Sequence, residues 1–199
     1  ISPLGALNVD SDIRFNDGGI SPSGELFIGT MSMTGRTGAA SLYRIGSDGN
    51  LTEVLAGRTI SNGLAWVSST ESRYIDSAHS RIFSLSWPAQ PDAHPNLSVF
   101  VELDPGDEPD GLTISPSGEV LVALWRGSRI ARFAPSGGRL ADIEVPANFP
   151  TSVALGGAEE EIMVVTSAAH REAGVQPRDS DGAVFVRYCN TTQAEESYG

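Results

Sequence analysis

The chain has 199 residues, 40% of them hydrophobic, with 22 Gly and 12 Pro; that composition fits a turn-rich globular protein and excludes a disordered tail or a helical bundle. Its net charge is −12 and every one of its 13 basic residues is Arg, so it repels phosphate backbones and nucleic-acid binding is excluded. A single cysteine, Cys189, excludes an internal disulfide and a cysteine zinc site and favours a cytoplasmic location; no stretch of about 18 apolar residues is present to span a membrane.

At the N-terminus, Ile1-Ser2-Pro3-Leu4-Gly5 has neither the basic start nor the apolar run of a signal peptide, and no initiator Met. Strand-like residues then run from about Asn8 to Ile13, where a partial blade is expected. Arg14-Phe15-Asn16-Asp17-Gly18 leads into Ile20-Ser21-Pro22-Ser23-Gly24-Glu25, followed by the apolar segment Leu26–Gly29. Here Pro sets φ and Gly supplies a positive φ in a tight turn between two strands. Ser41–Ile45 alternates apolar and polar side chains, as an outer strand with unlike faces does.

The pattern then returns. Asn62-Gly63-Leu64-Ala65-Trp66 passes through a polar turn at residues 68–72 into Arg73–Ser77, with an alternating strand at Arg81–Leu85. Asp110-Gly111 precedes Ile114-Ser115-Pro116-Ser117-Gly118-Glu119-Val120-Leu121-Val122-Ala123, nearly a copy of the first turn, and Arg129–Phe133 alternates again. A fourth copy runs from Thr151-Ser152-Val153-Ala154 past Gly156-Gly157 into Glu161–Ser167, and residues 182–188 supply further strand material for a partial blade. The anchor positions 17, 62, 110 and 151 lie 45, 48 and 41 residues apart, a period proper to propeller blades. The expected fold is an all-β, six-bladed β-propeller of four-stranded antiparallel blades, with about four blades in this chain. The whole chain is read as one partial domain with a polar tail over residues 190–199. A β-sandwich with similar turns is the alternative.

In a propeller the innermost strands line one channel, so Asp17, Asn62, Asp110 and Thr151 are expected around a common axis. Asp and Asn are hard oxygen donors of the kind Ca²⁺, Mg²⁺ or Mn²⁺ prefers. Each Asp-Gly or Asn-Gly pair also reads as a plain turn. Arg14 and Asn16, two apart in an extended segment, share a face and suit a hydroxylated or anionic ligand; the alternative is a surface Arg capping a loop. His79, His94 and His170 read as solvated loop residues, no nucleophile elbow exists, and Trp66 and Trp125 read as core, with a substrate platform as the alternative. Sequons at Asn50, Asn96 and Asn190 carry little weight alone.

Taken in order, Arg14–Gly18, Gly29-Thr30-Met31, Ser61–Trp66, Tyr74–Ser77, Pro109–Leu112 and Thr151-Ser152 with Gly156-Gly157 resemble the regucalcin/gluconolactonase family from about Asp10 to Phe185. The resemblance implies hydrolysis of a sugar lactone with one divalent cation, Ca²⁺ or Zn²⁺, with Mg²⁺ or Mn²⁺ as further options. It implies Asn62 and Asp110 as metal ligands, Asp110 also orienting or deprotonating water, and Arg14, Asn16 and Asp17 as substrate-binding residues. It also implies a third ligand, a Glu well upstream of Arg14; none of the thirteen preceding residues is Glu, and the chain is expected to be cut short at its N-terminus. The alternatives are a calcium-binding propeller or inactive truncated homologue without catalysis, and a scaffold that binds a protein partner.

Overall fold

The computed structural model describes residues 9–90, 93–157 and 162–188. They form four antiparallel sheets in succession along the chain, with no helix among the described residues. The first blade is β1 (Ile13–Ile20), β2 (Leu26–Ser32), β3 (Ala40–Ile45) and β4 (Leu51–Arg58); the second is β5 (Ser61–Ser68), β6 (Glu71–Asp76), β7 (Arg81–Ser86) and β8 (Asn96–Glu102). The third is β9 (Glu108–Ile114), β10 (Val120–Trp125), β11 (Arg129–Phe133) and β12 (Ile143–Glu144), and the fourth is β13 (Pro150–Gly156), β14 (Ile162–Ser167) and β15 (Val184–Tyr188). Every blade is a meander in which neighbours in sequence are neighbours in space, and β1, β5, β9 and β13 pack against one another in order. That is propeller architecture.

Three apolar cores hold the blades together, one at each junction. Phe27, Leu42 and Leu64 pack with Tyr74 and Leu85 between the first two blades. Ile75, Ile82, Val120, Val122 and Leu124 fill the second junction. Leu121, Ala123, Val153 and Val165 fill the third. The split along β10 explains its unbroken apolar sequence: alternate side chains point to opposite faces, and each face meets a blade. Gly24 and Gly118 have φ of 86° and 81°, the positive values that the two matching Pro-Ser-Gly turns require.

Several strands differ from the sequence reading. Residues 9–12 form no strand but a turn leading into β1. β15 pairs with β14 throughout, so residues 182–188 close the fourth blade instead of starting a fifth. β6 begins at Glu71, two residues before Arg73, because the hairpin turn is only Ser69-Thr70. The alternating segments are third strands; β4, β8 and β12 lie outside them. Glu161, Cys189 and the 190–199 tail lie outside the described residues. Val184, Val186 and Tyr188 of β15 are exposed, as are Phe15 and Ile20 of β1.

Candidate functional site

The inner strands share an irregularity that builds the site. In β1, Phe15 pairs with Thr30 and Gly18 with Ile28, so Asn16 and Asp17 oppose a single residue. In β5, Asn62 and Gly63 oppose Ile75 alone, between the Ser61–Asp76 and Leu64–Tyr74 pairs. In β9, Asp110 and Gly111 oppose Ala123, between Pro109–Leu124 and Leu112–Val122. β13 carries an extra residue at Thr151. Such bulges bend a strand and re-aim a side chain. Register thus makes Asn16, Asn62, Asp110 and Thr151 equivalent, correcting the first anchor from Asp17 to Asn16.

Arg14, Asn16, Asn62 and Asp110 come together at a cavity of about 420 Å³. Asp17 and Thr151 do not line it. Asp17 accepts the Gly18 N–H at 2.8 Å, the local turn bond of an Asp-Gly pair, and Thr151 pairs its hydroxyl with Thr166 at 2.7 Å. The wall also contains Glu108, Trp125, Ser77 and Met31, none of which the sequence reading placed there. Trp125, half-buried at the end of β10, is therefore cavity wall as well as a packing partner of Phe149 and His170 of the fourth blade. Trp66, by contrast, stacks with Phe27 and Trp87 at 5.5 and 4.9 Å in the first junction. His170 is not merely solvated, since its ring lies 5.3 Å from that of Trp125.

The polar groups are tied together. Arg14 Nη1 donates to Asn16 Oδ1 at 3.2 Å, and Asn16 Nδ2 donates to Ser61 O at 3.2 Å. Asn62, buried, donates from Nδ2 to Ser77 Oγ at 2.8 Å, and the Ser77 hydroxyl donates to Pro109 O at 2.6 Å. Burial pushes the Asp110 carboxyl up to about 7, and the negative charge of Asp17 adds to the rise; a hydrogen bond from Asn62 and the charge of Arg14 oppose it. Burial also raises Asp17, against its Gly18 hydrogen bond.

A cation fits this donor set. The Asp110 carboxylate is a hard oxygen donor at the cavity, and its ionised form is disfavoured chiefly by burial, a cost that a bound cation would offset. Asn62 has its amide nitrogen engaged by Ser77, which leaves Oδ1 for a hard ion. Among the described residues no group of three or more His, Cys, Asp or Glu is placed to hold a metal, so two side chains from this chain would share the ion with other oxygens.

Comparison with known proteins places this geometry in context. Residues 4–169 match the model of the SMP-30/gluconolactonase/LRE-like region. Pentonolactonase XacC of Haloferax volcanii is 32% identical over 186 residues, covering 89% of this chain and 63% of XacC. The solved structure of a luciferin-regenerating enzyme superposes with a TM-score of 0.80 at 29% identity, covering 88% of this chain and 61% of that one. A calcium-binding protein, regucalcin, from Agrobacterium tumefaciens gives a TM-score of 0.74 at 28% identity, over 82% of this chain and 56% of its own. The chain thus spans about three-fifths of the length of these relatives.

Proposed function

The chain belongs to the SMP-30/gluconolactonase/LRE-like family, and from that premise we propose that the protein hydrolyses a sugar lactone with one divalent cation held by Asn62 and Asp110. The observation that carries the reading is a half-buried carboxylate and a buried amide at matched bulges of β9 and β5, facing one cavity. Similarity to a pentonolactonase supports the substrate class. Similarity to a calcium-binding regucalcin supports Ca²⁺, with Zn²⁺, Mg²⁺ and Mn²⁺ as competitors. The lone cysteine supports a cytoplasmic location.

When bound, the cation supplies Lewis-acid polarisation of the lactone carbonyl. Asp110 takes a proton from the attacking water as its oxygen bonds the carbonyl carbon. It then returns the proton to the ring oxygen as the carbon–oxygen bond breaks, leaving a hydroxy acid. Beside a bound cation the Asp110 carboxylate stays ionised, the state a base needs, while being weakened as a base. Arg14 and Asn16, linked to each other, hold lactone and hydroxyl oxygens on the β1 side. Asp17, outside the cavity, acts on Asp110 through its charge.

Proton release from pentono- and hexonolactones tests this, using protein stripped with chelator and reloaded with Ca²⁺ or Zn²⁺. Activity should return with the cation, and Asp110→Ala should cost roughly 10²–10⁴-fold, while Asn62→Ala should raise the cation concentration needed. Undiminished hydrolysis by Asp110→Ala would overturn the assignment.

A further inference from the structure

The wall of the cavity formed by β9 and β10 carries two side chains that the proposed chemistry leaves unused. Glu108 and Trp125 are directly opposed across the β9–β10 pair, and both line the cavity. Opposed residues of an antiparallel pair project to one face, and Glu108 lies two residues before Asp110 in the same strand, which gives the same side again.

Both are held from behind by the connection between β14 and β15, residues 168–183. His170 and the buried Phe149, 5.2 Å apart, pack together against the indole of Trp125, with ring centroids 5.3 and 4.9 Å away. Glu172 accepts from Arg126 Nε at 2.7 Å while Arg126 Nη1 donates to Glu108 Oε1 at 2.6 Å. Arg126 has φ of 63°, a conformation uncommon for a side chain of its size. Partly exposed ion pairs add little stability. What this chain of contacts does is fix Glu108 through Oε1, at a residue that lines the cavity.

We propose that Glu108 and Trp125 recognise the polyhydroxylated ring of the substrate, with Arg126 and Glu172 as positioning residues. The C–H face of a sugar ring packs on the electron-rich face of the indole, and Glu108 Oε2 accepts a charge-assisted hydrogen bond from a ring hydroxyl. The inference rests on the sugar-lactone reading and names the part of the substrate that this wall selects: a neutral ring carrying hydroxyls, as against an unsubstituted lactone.

The test separates recognition from hydrolysis by using 1,5-anhydro-D-glucitol, a hydroxylated ring without a carbonyl, titrated into the full chain by calorimetry and saturation-transfer NMR. Tetrahydropyran serves as the ring without hydroxyls. The polyol should bind and tetrahydropyran should not. Glu108→Gln should weaken the polyol by roughly ten- to hundredfold, Trp125→Ala should abolish saturation transfer to its C–H protons, and Glu172→Gln should give a smaller loss of a few-fold; thermal melts confirm that each variant is folded. Equal polyol affinity in wild type and Glu108→Gln would overturn the proposal. So would lactone hydrolysis by a wild type that binds no polyol. Glu108-dependent polyol binding in a protein that hydrolyses no lactone would support the wall and refute only the hydrolase reading.

Discussion

Substituting Gly111 tests whether the spacing of the inner strands holds the site together. A Cβ added there would lie 2.3 Å from Ser152 Oγ, 2.7 Å from its Cβ and 2.9 Å from its Cα, against an ordinary carbon contact of about 3.5 Å. Rotating Ser152 clears only the first of these contacts, so β9 and β13 must separate by several tenths of an ångström. Overpacking of this kind costs about 1–3 kcal/mol, which for a chain of this size lowers Tm by roughly 2–12 °C. The displacement begins one residue from Asp110, so kcat/KM should fall as well, by up to ~10²-fold for a shift approaching 1 Å. Gly156 is the control: it lies in β13, and no described residue stands within 4 Å of its added Cβ. Gly156→Ala should be neutral, or gain up to about 1 kcal/mol from a stiffer unfolded chain. Thermal melts by circular dichroism, with lactone kinetics on the same preparations, read both effects. Adding Ser152→Gly to Gly111→Ala should recover part of the loss, since the contact with Cα persists. A Gly111→Ala protein that melts with wild type, or a Gly156→Ala protein that falls equally, would refute the packing argument.

Two further predictions concern carboxylates, one half-buried and one wholly buried. In cation-free protein Asp110 has a folded pKa of about 7 against an ordinary 3.8, so between those values the native state retains a proton that the unfolded chain has released. Stability is therefore lost as pH rises from about 4 to 7, by at most about 4 kcal/mol and less to the extent that water reaches the half-buried group. Asp110→Asn should remove this dependence, and the stability advantage of Asn over Asp should widen from pH 5 to pH 8 in chelator; a gap that stays constant would count against it. Asp76 is wholly buried and accepts the backbone N–H groups of Thr59 at 3.1 Å and Ile60 at 2.9 Å. Asp76→Ala strands both donors and should cost about 2–5 kcal/mol in urea unfolding, with Asp76→Asn recovering part; a loss under 1 kcal/mol would show that water replaces the carboxylate.

The repeat was legible in sequence because its strongest marks obey local rules. Gly24 and Gly118 end matching turns at positive φ, and the apolar run of β10 is what a strand covered on both faces must carry. Asn62 and Asp110 were legible as a pair for the same reason. Asp17 was taken for their counterpart because Asp17-Gly18 looks like Asp110-Gly111, and only pairing to β2 shows that Asn16 holds that place. A bulge moves the register by one residue and leaves no mark in composition. Trp125 was read as core and Glu108 escaped notice because each becomes cavity wall through the strand opposite it. β4 and β8 were hidden for a different reason: as outer strands they are largely exposed, and their apolar alternation is weak.

The glycines after the candidate ligands extend that point. A plain turn was the alternative reading of Asn62-Gly63 and Asp110-Gly111, yet both glycines lie inside strands and neither has a positive φ. A Cβ on Gly63 would meet Asp110 O at 2.7 Å, as one on Gly111 would meet Ser152. Ligand and glycine therefore act as one device: the bulge turns Asn62 or Asp110 to the cavity, and the missing side chain lets the next inner strand close in behind. In the fourth blade the same two places hold Thr151 and Ser152. Thr151 pairs its hydroxyl with Thr166 within its own sheet, and Ser152 is the surface against which Gly111 packs. Blades one to three thus supply the polar side chains of the cavity. The fourth contributes backing, through the close contact with β9 and through His170 and Glu172 behind the wall.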